Sequence, residues 1–156
     1  MTYCVAVRVT AGLVLLSDTR TNAGIDNISR FTKMFTFANP GERVIAMMTA
    51  GNLSITQGVM SRLRRAIQRA EEEGSEEETI LNCDTLFRAA QLVGEEMREM
   101  QTEYRDAIMS QGVPADASVL LAGQRKGGKH RLFLIYSAGN FIEATRDTPY
   151  FQIGEH

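Results

Sequence analysis

The chain has 156 residues, of which 44% are hydrophobic and 23% charged, and its formal net charge is −2. This length and composition are typical of one soluble globular domain with a buried core. The charge argues against nucleic acid or an anionic membrane as partner, because both attract clustered positive charge. No apolar stretch approaches the roughly 20 residues of a membrane helix, and residues 1–10 lack a signal-peptide pattern. We therefore expect a cytoplasmic protein.

The first third of the chain has the patterns of strands. Four strands in two hairpins are predicted, over residues 3–10, 13–17, 33–38 and 43–49. The turn Ala11-Gly12 joins the first pair, and Asn39-Pro40-Gly41-Glu42 joins the second. Residues 21–29 are rich in Asn, Gly and Asp and predict a loop.

Two long helices are predicted to follow. The first has an apolar stripe from Leu53 to Glu73, and the second begins near Asp84, which is a plausible cap, and stops at Gly112-Val113-Pro114. Strands then resume over residues 118–123, 131–137, 141–145 and 150–153. Lys126-Gly127-Gly128-Lys129 is interpreted as a hairpin turn and not a phosphate loop, because no helix start follows it.

This order of elements predicts an α+β fold, with antiparallel sheets and helices on one face, in a single domain over residues 1–156. Two helices cover only one side of a stack of sheets, and the chain stops in a strand pattern at Gly154-Glu155-His156. Either a partner covers the other side, or the domain continues beyond His156 and is incomplete here.

Histidine and cysteine point to little chemistry. His130 and His156 lie in unrelated segments, which argues against a histidine-based triad. Cys4 and Cys83 form neither a disulfide framework nor a spaced metal motif. We expect both thiols to be reduced and at least half-buried.

Thr2 is the first candidate for catalysis. Removal of Met1 would leave a hydroxyl and a free α-amine on one residue, the arrangement that N-terminal-nucleophile amide hydrolysis requires. The pKa of such an amine is roughly 7.7–8.0, so a usable fraction accepts the hydroxyl proton near pH 7. A Met-Thr start is common, however, and taken alone it favours an arbitrary small residue after the start codon.

Three further residues could complete that site. Lys33 would supply a cation that lowers the pKa of the amine, and Asp18, on the strand antiparallel to that of Thr2, would orient the lysine. Taken alone, Asp18 and Lys33 would be a surface ion pair of little energy. Gly51 lies between an apolar strand and a helix start, where its N–H could stabilise an oxyanion or simply form a turn.

These residues and their surroundings resemble proteasome-type β subunits of the Ntn-hydrolase family. The matching segments have the same order and nearly the same spacing, and they cover residues 2–9, 17–20, 21–24, 33–35 and 49–51. Met1-Thr2-Tyr3-Cys4-Val5 and Tyr136-Ser137-Ala138-Gly139-Asn140 are similar to the bacterial Anbu branch, the ancestral β subunits. The resemblance implies an αββα sandwich of antiparallel sheets, whose C-terminal helical layer this chain would lack.

The resemblance also implies a role for each site residue. Thr2 would be the nucleophile with its own amine as base, Asp18 and Lys33 the supporting pair, Arg20 a structural support and Gly51 the oxyanion donor. It implies no metal or organic cofactor. The substrate would be a peptide or an unfolded protein, cut inside a ring-shaped or helical homo-oligomer, and an ATPase partner is left open.

Three positions depart from the family pattern. Tyr3 replaces a small hydroxyl residue and would change the pocket beside Thr2, while Asn52 replaces a glycine and Glu155 a serine. An aspartate of the family lies beyond the chain. The leading expectation is a threonine peptidase. The alternatives are a non-catalytic assembly scaffold and a hydrolase of small amides on the same fold.

Overall fold

The computed structural model describes residues 2–22 and 28–155. In this part of the chain, six strands precede two helices and four strands follow them. The elements are β1 (Tyr3–Val9), β2 (Gly12–Ser17), β3 (Arg20–Asn22), β4 (Ile28–Arg30), β5 (Met34–Asn39), β6 (Arg43–Gly51), α1 (Leu53–Glu72), α2 (Leu86–Ser110), β7 (Ala117–Arg125), β8 (Arg131–Ile135), β9 (Phe141–Glu143) and β10 (Tyr150–Gly154).

The elements stack in three layers. Strands β5 to β9 form a five-stranded sheet in sequence order, and β10, β1 and β2 form a three-stranded sheet with β1 in the middle. All their pairings are antiparallel. Both helices pack on one face of the larger sheet, and the smaller sheet packs on the other. The predicted α+β fold is therefore confirmed.

The strands of the larger sheet contribute side chains to two hydrophobic cores. Successive side chains of a strand point to opposite faces, so Val119 and Leu121 of β7 join the core under the helices, while Leu120 and Ala122 join the core between the sheets. All four are at most 1% exposed. This burial on both faces explains the continuous apolar run in β7.

The helices begin at side-chain caps. Asn52 caps α1, and Thr85 caps α2 by accepting a hydrogen bond from Arg88 N–H at 3.0 Å. The predicted cap Asp84 is therefore wrong: Thr85 has the extended backbone that a cap needs. Within the described residues, no helix is long and apolar enough to cross a membrane.

The predicted strands agree with the observed ones to within two residues at each end. The hairpin turn after β7 is also confirmed, because Gly128 N–H donates to Arg125 O at 2.9 Å. The loop predicted over residues 21–29 is wrong at both ends, where β3 and β4 pair antiparallel. Its middle, residues 23–27, lies outside the described residues.

The outer face of the three-stranded sheet is apolar and exposed. Val14, Leu16 and Tyr150 are 57%, 63% and 53% exposed, and β1 contributes Val5 and Val7 beside them. In the described part of the chain, both helices cover the other sheet. A contiguous apolar face of this kind marks a contact surface.

Candidate active site

The peptide group between Thr2 and Tyr3 is held at both ends. Its carbonyl oxygen, on Thr2, accepts a hydrogen bond from Glu155 N–H at 2.9 Å. Its N–H, on Tyr3, donates to Asp18 Oδ1 at 2.9 Å. Asp18 N–H in turn donates to Tyr3 O at 3.0 Å. The half-buried Thr2 is thus fixed in position by the strands on both sides of β1.

The close approach of β10 to Thr2 depends on Gly154. This glycine has φ +112°, and a Cβ built on it would lie 1.8 Å from the Thr2 carbonyl oxygen. No side chain fits in that space, and the left-handed φ also favours glycine. Gly154 therefore allows the last described strand to close on the nucleophile candidate.

Lys33 reaches the same peptide group through Asp18. Its side chain is 5% exposed, and Nζ donates to both carboxylate oxygens of Asp18 at 2.8 Å. The Lys33 carbonyl accepts a hydrogen bond from Thr49 N–H at 2.9 Å, which anchors the lysine backbone on β6. The structure thus brings together Asp18 and Lys33, 15 residues apart in sequence.

The surroundings of Asp18 lower the pKa of its carboxyl group. Burial alone would raise its pKa, but hydrogen bonds from the Lys33 ammonium and from the Tyr3 N–H outweigh that effect and hold the pKa below its ordinary range. The backbone of Arg20 acts in the same direction. The carboxylate therefore stays ionised while it orients a buried cation.

Arg20 joins this cluster through its main chain. Its carbonyl oxygen accepts a hydrogen bond from Lys33 Nζ, and its side chain is exposed. The backbone position is set by β3, in which Arg20 pairs with Arg30. The contacts that Arg20 makes with Lys33 and Asp18 thus come from its backbone and depend on where β3 places it.

Thr2 and Gly51 line one cavity of about 830 Å³. The lining residues come from the strand-to-helix turn before α1, from the segment that leads from α2 into β7, and from the end of the smaller sheet where β1 begins and β10 ends. They are Thr2, Ala50, Gly51, Asn52, Leu53, Ser54, Val113, Pro114, Asp116, Ala117, Ser118, Gly154 and Glu155. Asp18 and Lys33 are linked to this cavity through the Thr2–Tyr3 peptide group.

Gly51 adopts a backbone conformation that other residues avoid. Its φ is +98°, and a Cβ there would lie 2.3 Å from Asp116 O. The turn is held because Asn52 N–H donates to Asp116 O at 2.8 Å. Since α1 begins at Leu53, the Gly51 peptide lies at the positive end of the helix dipole, which suits an anion.

Solved structures of Anbu proteins share this fold. Anbu from Yersinia bercovieri is 47% identical with a TM-score of 0.83, over 99% of this chain and 61% of that one. The helical assembly of the Anbu complex from Pseudomonas aeruginosa is 42% identical with a TM-score of 0.86, over 99% and 61%. An Anbu (Gly-1) mutant from Hyphomicrobium sp. strain MC1 is 42% identical with a TM-score of 0.84, over 100% and 60%.

The resemblance to the Anbu branch is confirmed. The chain spans about 60% of the length of these Anbu proteins. No protein-family model and no curated protein matches it.

The three departures from the family pattern lie in different places of this Anbu-like fold. The Tyr3 side chain is 41% exposed, and its hydroxyl donates to Gln152 Oε1 at 3.1 Å. Tyr3 is not among the residues that line the cavity, and its expected effect on the pocket beside Thr2 stays a prediction. Asn52 and Glu155 do line the cavity. These two residues therefore contribute directly to the cavity that Thr2 and Gly51 share.

Pro114, Asp116 and Ser118 form a wall of the cavity that was not predicted, because the sequence of residues 112–114 indicates only a helix stop. These residues reach the cavity because β7 pairs with β6 up to Gly51 and Ala117. No local pattern signals that register. The wall can be found only once the two strands are paired.

Cys4 lies next to the Asp18–Lys33 pair without the features of a nucleophile. Burial, followed by the charge of Asp18, raises its pKa to about 11, although Lys33 acts to lower it. Its Sγ donates to Thr49 O at 3.8 Å. In the described part of the chain, no group of three or more His, Cys, Asp or Glu residues is arranged to hold a metal ion.

Proposed function

We propose that this chain carries the catalytic centre of a proteasome-type threonine peptidase of the cytoplasm, which cuts peptides or unfolded proteins with Thr2 as an N-terminal nucleophile. One observation carries the proposal. Asp18, paired with the buried Lys33, holds the peptide group that follows Thr2, at a cavity that Thr2 shares with Gly51. Each group that amide hydrolysis by an N-terminal threonine needs has a candidate here.

The first half of the reaction forms an ester. Once Met1 is removed, the neutral α-amine of Thr2 accepts the proton of the Thr2 hydroxyl as Oγ attacks the substrate carbonyl carbon. The carbonyl oxygen becomes an anion that the Gly51 N–H stabilises. The tetrahedral intermediate then collapses, the C–N bond breaks, and the Thr2 ammonium returns its proton to the leaving amine.

The second half consumes water. The Thr2 amine takes a proton from a water molecule, whose oxygen attacks the ester carbon, and the C–Oγ bond breaks with return of the proton to Oγ. The buried lysine cation favours the neutral amine, since a nearby positive charge lowers the pKa of an amine. Asp18 is a positioning residue in this scheme, because it holds Lys33 and the Tyr3 N–H together.

We also propose that the active form is a homo-oligomer. A relative from Pseudomonas aeruginosa is described as a helical assembly of the Anbu complex.

Intact-mass analysis with a β-lactone or epoxyketone probe tests the proposal. We expect a chain that has lost Met1 and gained one probe molecule on Thr2. Thr2→Ala is expected to abolish labelling and leave the oligomer unchanged in size-exclusion chromatography, whereas Thr10→Ala, at an exposed turn, labels as the wild type does. A processed chain without an adduct favours a non-catalytic scaffold, and an adduct on Thr2→Ala refutes the assigned nucleophile.

A further inference from the structure

Asn52 connects the turn that carries Gly51 to the opposite wall of the cavity. We propose that Asn52 is a positioning residue, whose side-chain amide fixes the direction of the Gly51 N–H by tying the Gly51 turn to the Pro114 carbonyl. This inference rests on the proposed function, in which the Gly51 N–H stabilises the oxyanion. It assigns to Asn52 a task beyond capping a helix.

The two halves of the Asn52 amide bind different elements. Oδ1 accepts hydrogen bonds from Ser54 N–H at 3.1 Å, Ile55 N–H at 3.2 Å and Ser54 Oγ at 2.7 Å, all in the first turn of α1. Nδ2 donates to Pro114 O at 2.9 Å, across 62 residues of sequence. The asparagine amide accepts hydrogen bonds at Oδ1 and donates them at Nδ2, so one short side chain binds both elements.

The segment that receives this hydrogen bond, residues 114–117, is hydrogen-bonded to the rest of the fold at every residue. Four consecutive carbonyls each accept a hydrogen bond from another part of the fold. The donors are Asn52 Nδ2 to Pro114 O at 2.9 Å, Gln101 Nε2 to Ala115 O at 2.6 Å, Asn52 N–H to Asp116 O at 2.8 Å, and Ser137 Oγ to Ala117 O at 2.7 Å. The wall is therefore a rigid support for a side chain that binds it.

Gly51 needs such a support because glycine has the largest conformational freedom of any residue. Gly51 has a left-handed φ of +98°, and a Cβ on it would clash with Asp116 O. No side chain at this position can therefore restrain the backbone. Oxyanion donors act only when their direction is set before the reaction. The neighbouring Asn52 supplies that restraint from both its backbone N–H and its side chain.

The capping and positioning roles of Asn52 can be separated. Serine caps helices about as well as asparagine, but its short side chain carries no amide donor for Pro114 O. Asn52→Ser therefore keeps the cap and removes the tie, whereas Asn52→Ala removes both. Thr85→Ala is the matched control, because it removes the cap of α2 away from the lining of the cavity.

The test measures the rate of β-lactone labelling on the 156-residue chain. We expect Asn52→Ser and Asn52→Ala to label roughly 10-fold to 100-fold more slowly than the wild type, since small displacements of catalytic groups have effects of this size. Asn52→Ser should unfold near the wild-type urea midpoint, and Thr85→Ala should unfold earlier yet label normally. Labelling of Asn52→Ser at the wild-type rate would overturn the inference.

Amide hydrogen exchange separates failure of this inference from failure of the proposed function. We expect faster exchange at Gly51 and in residues 114–117 of Asn52→Ser, and no such change in Thr85→Ala. If the wild type itself does not label, the proposed function fails, while faster exchange in Asn52→Ser still supports the restraint on Gly51. Unchanged exchange in Asn52→Ser overturns the restraint whatever the labelling shows.

Discussion

Lys33 Nζ lies 2.8 Å from each carboxylate oxygen of Asp18. The lysine side chain is 5% exposed and the aspartate 36%, so the cation is buried while its partner still reaches solvent. The pair joins the end of β2 to the residue before β5. Asp18 also accepts the hydrogen bond from Tyr3 N–H, so under the proposed function stability and catalysis would depend on the same carboxylate.

Replacement of Asp18 by asparagine should destabilise the fold. The buried Lys33 ammonium would lose its charged partner, and we expect a loss of about 1–3 kcal/mol, reduced because Asp18 is partly exposed. Urea unfolding at pH 7 measures the loss. Glu143→Gln, in the more exposed pair with Arg131, is the control and should cost less than about 1 kcal/mol. Equal losses in the two variants would contradict the special role of the Asp18–Lys33 pair.

The stabilisation by Asp18 should depend on pH in a defined direction. The folded-state pKa of this carboxyl is lowered, so the folded chain releases the proton more readily than the unfolded chain. The contribution is complete above the ordinary carboxyl pKa, roughly 3.9, and is lost as the pH falls through the lower folded-state value.

Urea unfolding of the wild type and Asp18→Asn at several pH values checks this direction. The difference in the free energy of unfolding between the two should be constant from about pH 7 to 5 and shrink below about pH 4. A difference that widens on acidification would show that the pKa is raised in the folded state.

Gly51→Ala should destabilise the chain more than Gly41→Ala. Both glycines have a left-handed φ, +98° and +80°, which costs another residue about 1–2 kcal/mol. A Cβ on Gly51 also meets Asp116 O at 2.3 Å, whereas Gly41 faces open space. We expect a further loss of about 1–3 kcal/mol from this clash. Thermal unfolding of both variants measures the difference, and equal midpoints would disprove the contact.

Both cysteines should be unreactive in the folded chain. Burial raises the pKa of Cys4 to about 11, and it also raises that of Cys83 despite the hydrogen bond from Arg43. Thiolates are the reactive form, and neither side chain is exposed. A disulfide reagent at pH 8 should modify neither thiol before unfolding and both after it in urea. Rapid modification of the native chain would contradict the burial of the thiols.

Local patterns were enough to predict most elements of the fold. Alternation in β1 and the apolar run of β2 predicted their hairpin, and the stripes of α1 and α2 predicted two helices. The cap of α2 was misplaced because Asp84 and Thr85 are both capping residues, and only the backbone distinguishes them. Strands β3 and β4 were missed because they have three residues each and polar neighbours.

The part of the candidate site whose residue types have a specific chemical role could be predicted from the sequence. The pairing of Asp18 with Lys33 was expected from their roles and from the resemblance, and the structure places them in contact. The Pro114 wall and the double function of Asn52 were not expected, because both depend on the register of β6 against β7. Contacts between distant segments leave no trace in a short window of sequence.

The closure of β10 on Thr2 has a consequence for the newly made protein. Tyr3 and its partner Gln152 are 149 residues apart. At ordinary translation speeds, the ribosome needs roughly 8–30 s to synthesise that interval. Until Gly154 emerges from the ribosome and docks, β1 lacks one of its two neighbours, and Thr2 O lacks the hydrogen bond from Glu155 N–H. The cavity that Thr2 shares with Gly51 is therefore incomplete over the same interval.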